Sequence, residues 1–336
     1  MRTRYGQKHA EALGKLMSKA FQFMEQTDPD KFAAEWETGK EASPTDSLEG
    51  MRYARMIVTA ADDYWLDAAL RELTGYGASV IACDAELGVE RHLPPEASPD
   101  RRPAAAVLAF GFSADGLAKA LANRIGQCVM TCASTAVYDG LPDSKDGVER
   151  DGRVPLGKHL RFFGDGYQKS KMLDRRRFWR IPVMDGEFLV EESLGVAKGI
   201  GGGNVILQAA SMPAALAAAR RGVETIASLE GVITPFPGGV ARSGSKVGSR
   251  YKKLIASTAD AFCPTLRGRV ESRLADGVNC ALEIVIDGVD ESAVSGAMRA
   301  AMRAVAGEDV IAISAGNYGG KLGKFHFHLH KLLSGE

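Results

Sequence analysis

Apolar positions along the chain predict a helix, a polar stretch and then two similar halves. Leu13, Leu16, Met17, Ala20, Phe21 and Met24 recur at helical spacing and leave lysines on the other face, the pattern of an amphipathic helix. Residues 26–46 are polar, hold two prolines and read as a linker, so the compact part is expected to start near Met51. Beyond it, RMIVTA (55–60), SVIACDAE (79–86), AAAVLAFG (104–111) and QCVMTC (127–132) read as strands, with helices over 62–75 and 112–126. The second half repeats this order. Strands are expected over 203–210, 231–236, 280–288 and 309–316, with helices over 212–228 and 290–307.

Each half is therefore βαβ, a connection, then βαβ, the connection being longer in the second half (237–279). This order predicts an α+β protein of two lobes. Each lobe would be a ferredoxin-like split βαβ unit, a helix-covered antiparallel sheet, arising by internal duplication. The expected boundaries are an arm over 1–46, one lobe over 47–186 and a second over 187–336. Residues 160–192 read as a hairpin or crossing strands, with turns at Asp165-Gly166 and Asp185-Gly186. A cleft between lobes or subunits is the default place for a ligand.

Composition removes some function classes. The 336 residues are 45% hydrophobic and 25% charged with zero formal net charge, which disfavours a nucleic-acid binder driven by a basic surface. No apolar run is long enough to span a membrane, and the N-terminus lacks the pattern of a signal peptide. Five widely spaced cysteines without a CxxC pair read as free thiols in a reducing cytoplasm.

One strand carries a puzzle. In NCALEIVIDGVD (279–290), Glu283 interrupts an otherwise apolar, β-branched run. A buried carboxylate is costly unless it is protonated or partnered. Read alone, the position fits a half-exposed strand, an ion pair with an arginine, or a catalytic acid. Other motifs are equally open. PFPGGVARSGSKVGS (235–249) has one residue too many before Lys246 for a phosphate loop, and reads as a glycine-rich turn or a non-nucleotide anion site. GIGGGN (199–204) precedes a strand, the wrong context for a dinucleotide fingerprint, and reads as a flexible connection. HFHLH (326–330) would place His326, His328 and His330 on one strand face, as zinc ligands or as an edge strand's polar side. Cys263 in FCPT is a possible nucleophile or a core thiol. SAGNYGGKLG (314–323) fits close backbone approach to a ligand, or a two-step turn.

Taken together, eight collinear segments resemble one family. They are RIGQCVMT (124–131), FFGDGYQ (162–168), PFPGG (235–239), SKVGS (245–249), FCPT (262–265), EIVIDG (283–288), ISAGNYGGKLG (313–323) and HLH (328–330). From about Met51 to Leu333 the chain resembles formylmethanofuran–tetrahydromethanopterin formyltransferases. The resemblance implies formyl transfer between the amine of methanofuran and a ring nitrogen of tetrahydromethanopterin. No prosthetic group and no metal are implied, since both carriers act as substrates. It also implies homotetramers with active sites in clefts at subunit interfaces, and a catalytic acid–base role for Glu283. Transfer through a tetrahedral intermediate needs a proton for the departing amine, which a carboxyl of raised pKa supplies. On the same motifs, Arg124, Arg242, Lys246, Lys321 and Lys324 are candidates for holding the carriers' anionic tails. Gln127, Asp165, Tyr167, Ser245 and Asn317 are candidates for orienting the reacting groups.

Two features depart from the family pattern. An unfamiliar 44-residue arm precedes TDSLEGMRYAR (45–55), where a D-T-F-A-E-A-F-like opening is expected. The neutral, arginine-rich composition resembles the bacterial, methylotroph branch. That implies a subunit of a formyltransferase/hydrolase complex, with methylofuran and dephospho-tetrahydromethanopterin as carriers. The rival readings are a non-catalytic scaffold subunit of such a complex and an RNA-binding protein. The strand motifs here are not of the aromatic, basic kind the latter uses.

Overall fold

A computed structural model describes residues 45–141, 150–244, 246–251, 254, 256–307, 309–316 and 325–334. The helix expected over 13–24 lies outside the described residues. The first part of the chain forms β1 (Thr45–Thr59), α1 (Asp63–Thr74), β2 (Glu86–Leu93), β3 (Ala104–Gly111), α2 (Ala114–Arg124) and β4 (Ala136–Asp139). Then come β5 (Arg150–Val154), β6 (Lys169–Leu173), β7 (Arg176–Val183), β8 (Gly186–Glu191) and the 16-residue β9 (Leu194–Ala209). The last part holds α3 (Met212–Ile226), β10 (Val232–Ile233), β11 (Lys246–Val247), β12 (Ala256–Ser257), β13 (Cys280–Gly288), α4 (Glu291–Val305), β14 (Val310–Ser314), β15 (Phe325–His328) and α5 (Leu329–Ser334).

Among the described residues, all four long helices start on a side-chain cap. Asp62, Ser113, Ser211 and Asp290 each accept the backbone N–H three residues on, at 2.8–3.4 Å. Such caps satisfy donors that the first helical turn leaves open, and each is worth about 1 kcal/mol.

Thirteen strands form one mixed sheet, and β11–β12 is a separate small hairpin. The first half pairs in the order β4-β1-β3-β2, all antiparallel. The second half pairs in the order β14-β9-β13-β10, also antiparallel. Two isolated sheets were expected, but β9 joins the halves. Its first part pairs with β1 and β5, and its second with β13 and β14. Among the described residues one strand pair, β4–β8, is parallel, and it extends the sheet toward β7 and β6.

Several sequence expectations need correction. The first core strand begins at Thr45, inside the expected linker, because Thr45–Leu48 pair with β15. SVIACDAE is not a strand. Its backbone turns, with Ala82 and Cys83 N–H on Ser79 O, and the strand is ELGVERHL (86–93). Glu86 and Glu90 are buried there and hide the strand's alternation. QCVMTC is not a strand either. α2 runs on through a π-turn over Ile125–Val129, because Ile125, Val129 and Met130 complete the helix side of the core. GVITPF keeps only Val232–Ile233 as strand. GIGGGN is the middle of β9 rather than a flexible connection. Gly202 has φ +88°, and a Cβ at Gly201 would meet Met51 Sδ at 2.1 Å, so only glycine fits this crossing. Residues 160–192 do form hairpin strands, the β6–β7–β8 meander, with turns at Asp165-Gly166 and at Asp185 as expected, but helical turns precede them. Finally, His330 lies on α5, so the three histidines do not share one strand face.

Two helix-side cores result. One packs α1 and α2 on β1 and β3 through Leu66, Leu70, Leu117, Leu121, Met56 and Val107. The other packs α3 and α4 on β9 and β13 through Val205, Leu207, Ile284, Ile286 and Met298. Met51, Tyr53, Leu108, Phe110 and Ile233 make a third cluster where the two halves meet. Among the described residues no helix is long and apolar enough to cross a membrane.

Candidate active site

Side chains alternate across β13. Leu282, Ile284 and Ile286 face α3 and α4, which turns Glu283, Val285 and Asp287 to the opposite face. Glu283 is 2% exposed. Its backbone is held on both sides. It pairs with Ile206 on β9, and on the other side Ala241 N–H donates to Glu283 O at 2.7 Å. β10 is only two residues long, so the chain leaves β13 at Thr234, turns over 237–239, and rejoins it at Ala241.

That excursion builds a pocket over Glu283. Ile206, Arg242, Ser243, Gly244, Phe262 and Cys263 line it, with about 290 Å³ of space including its mouth. The far wall is latched. Ser243 O accepts Ala259 N–H at 3.1 Å and the Thr258 hydroxyl at 2.9 Å. Gly244 has φ +62°, and a Cβ there would stand 2.6 Å from Ala259 Cβ, so a side chain would push this wall aside. Cys263 Sγ lies 3.5 Å from both Thr258 Oγ1 and Ala259 O.

The residues expected to share this site do not all meet in it. Glu283 and Arg242 do, and no carboxylate among the described residues pairs with the exposed Arg242. Lys246 lies close by in sequence, but its ammonium is 2.7 Å from Asp260 Oδ2, two residues before Phe262. That hydrogen bond, against a smaller effect of burial, holds Asp260 below the usual carboxylate range.

Arg124 is elsewhere and is occupied. It is 8% exposed and donates to Leu73 O, Gly75 O, Tyr76 O and Asp84 Oδ1 at 2.9, 2.7, 2.8 and 2.9 Å. It thereby satisfies carbonyls at the C-terminal end of α1, where a cation is favoured. The expected tail-holding role does not fit those contacts. Gln127 is exposed on the π-turn. Asp165, in a left-handed conformation, and Tyr167, 78% exposed, sit on a turn of the first half beside exposed Phe162 and Phe163. None of these four lines the Glu283 pocket of its own chain. Ser245, Asn317, Lys321 and Lys324 lie outside the described residues. Ser243 and Phe262 were missed by residue-level reasoning, although both fall within segments singled out in the sequence.

A buried carboxyl on a rigid strand, in a small pocket that an arginine also lines, is the equipment of a group-transfer enzyme that works by moving protons. Comparison with known proteins specifies the group. Residues 48–183 match the family model of formylmethanofuran-tetrahydromethanopterin formyltransferase, and residues 186–332 match that of its proximal lobe. A formyltransferase of this description from Methylobacillus flagellatus is 49% identical over 85% of this chain and 95% of its own. The solved formyltransferase of Methanosarcina barkeri is 42% identical with a TM-score of 0.80, covering 87% of this chain and 97% of that one. A chain of the formyltransferase/hydrolase complex of Methylorubrum extorquens, solved with methylofuran, is 42% identical with a TM-score of 0.82, covering 87% and 96%. This chain belongs to the formylmethanofuran–tetrahydromethanopterin formyltransferase family, and is an enzyme of formyl transfer.

Proposed function

We propose that the protein moves a formyl group between the amine of methanofuran, or of methylofuran, and a ring nitrogen of tetrahydromethanopterin or its dephospho form. Transfer is direct, within a ternary complex, through a tetrahedral intermediate. The observation that carries this reading is the buried Glu283 carboxyl at the floor of a pocket walled by Arg242, Ser243 and Phe262, in a chain of this family. Glu283 protonates the departing nitrogen and takes a proton from the attacking one. Arg242 holds an anionic part of a carrier. Phe262 and Ile206 keep water from the formyl carbon, which would otherwise be hydrolysed. Holding both carriers at one pocket supplies much of the acceleration.

The two lobes, over 47–186 and 187–336, are in our reading two copies of a split βαβ unit. The matching strand orders β4-β1-β3-β2 and β14-β9-β13-β10 support this. The protein works in the cytoplasm, as a homotetramer or with further subunits. Free thiols at all five cysteines support the first point, and the Methylorubrum extorquens complex the last.

The test is formyl transfer by purified protein with formylmethanofuran and tetrahydromethanopterin, comparing wild type with Glu283→Gln. Activity that collapses with carrier binding kept supports the reading. A variant of unchanged kcat rejects the acid–base role.

A further inference from the structure

A second acid sits on the same face of β13 as Glu283, four residues on. Asp287 is fully buried at a break in register between Ile286 and Gly288. The break coincides with Gly202, whose N–H donates to Asp287 Oδ1 at 3.0 Å. Asp287 Oδ2 receives no N–H or ordinary hydroxyl donor among the described residues. Its neighbour is Glu86 at the start of β2, in the other half of the molecule, 7% exposed, with its carboxyl beside that of Asp287. Glu86 in turn accepts Val80 N–H at 2.9 Å on Oε1.

Two carboxyl groups can form a hydrogen bond only if one carries a proton. Two buried neighbouring carboxylates cannot both ionise without large cost. We propose that Glu86 and Asp287 share one proton and act as an acid clasp, fastening the N-terminal half to the strand that carries Glu283 and positioning that strand. Glu86 is the proton donor and Asp287 the acceptor, since Asp287 already takes an N–H from Gly202. Among the described residues, the other ionisable groups at the junction include Tyr53 on β1, the Arg55–Glu90 pair between β1 and β2, and Asp290 just beyond β13. Arg55 is bound to Glu90 by two hydrogen bonds of 2.8 Å, so its charge is already matched.

The pair's titration sets the direction of pH dependence. Burial pushes Glu86 well above the usual carboxylate range, and the neighbouring Asp287 charge pushes it further. Burial raises Asp287 to about 6, against the hydrogen bonds from Glu86 and Gly202. The folded protein therefore holds protons that the unfolded chain releases. The stabilisation these protons give is full below the ordinary carboxylate range. It falls as pH rises through about 6, where Asp287 ionises and leaves the one proton on Glu86, and the clasp itself opens only above that, as Glu86 ionises.

Infrared spectroscopy of the full protein tests the clasp without relying on activity. At pH 7 the wild type should show a C=O stretch of a protonated carboxylic acid that Glu86→Gln removes, separate from any band that Glu283→Gln removes. A difference spectrum in which Glu86→Gln removes no such band overturns the clasp. So does absence of any such band at pH 7. Melting temperature against pH is the second readout. The wild type should lose several degrees between pH 5 and 8, and Asp287→Asn, which cannot ionise, should flatten that loss. Equal slopes in both proteins overturn the clasp. The positioning role rests on the acid–base reading of Glu283, which formyl transfer by Glu283→Gln tests separately from either readout.

Discussion

β3 and β13 hold the same place in the same strand order, yet carry different chemistry. β3 is AAAVLAFG, and every one of its residues is buried. Its two faces are sealed by the helix-side core and by the clusters at the junction and beneath β7. β13 is CALEIVIDG, apolar toward α3 and α4 but with Glu283 and Asp287 on its other face. The difference lies in the connection that leaves the second helix-linked strand of each half. After β2 the chain returns to the sheet within eleven residues, whereas after β10 it wanders over 234–279 before β13. That long connection lays polar backbone and the Arg242–Gly244 turn over β13, where the first half has close apolar packing. A shared strand order thus supports a packed support in one half and a site in the other, because the connection decides what each sheet face meets.

The sharpest break in this comparison should come from Glu283→Gln. General acid–base roles contribute about 10²–10⁴ in rate, so kcat should fall by that order while the thermal midpoint barely moves. A thermal midpoint that drops sharply while kcat holds would make β13 another β3. Arg124→Ala is the converse. It removes a buried charge that satisfies three carbonyls as well as the exposed Asp84, and leaving buried acceptors unsatisfied costs about 1–3 kcal/mol each. Denaturant melts should show that loss, with KM for both carriers unchanged in the folded fraction. A raised KM at unaltered stability would return Arg124 to the binding site.

Gly244→Ala should be milder. A left-handed conformation costs a non-glycine residue about 1–2 kcal/mol, and the Ala259 contact adds to it. The expected result is a higher KM in steady-state assays and a small drop in melting temperature, since only the pocket wall shifts. Unchanged KM would mean that this wall does not meet a carrier. The smallest effect tests where the halves agree. Ser113→Ala and Ser211→Ala remove equivalent caps on α2 and α3, and each should cost about 1 kcal/mol in denaturant melts. A large inequality between them would show that the two helices are not equivalent supports.

Much of the fold is legible in the sequence alone. The four long described helices begin and end within two residues of their expected spans, because Asp62, Ser113, Ser211 and Asp290 announce their starts. The strands 104–111 and 280–288 are also where the apolar runs placed them. The failures share a cause. β2 was missed because Glu86 and Glu90 point into the junction between halves, where Asp287, Arg55 and Gly231 N–H receive them. Charges at buried positions make a strand look like a loop. The π-turn after α2 was read as a strand because β-branched and sulfur-bearing residues suit either state.

By itself, then, the sequence determined the alternation of elements, the helix starts, the odd carboxyl in a core strand and the family to which eight segments point. These depend on neighbours a few residues apart and on the period of side chains along one element. The tertiary structure decided what no local pattern encodes. It fused the halves into one sheet through β9, gave Arg124 to a helix end rather than to a ligand, and set Arg242 and Phe262 over Glu283. It also brought Glu86 across about two hundred residues to Asp287. Those contacts join distant parts of the chain, and burial at such junctions reverses the meaning that a charged residue has in sequence.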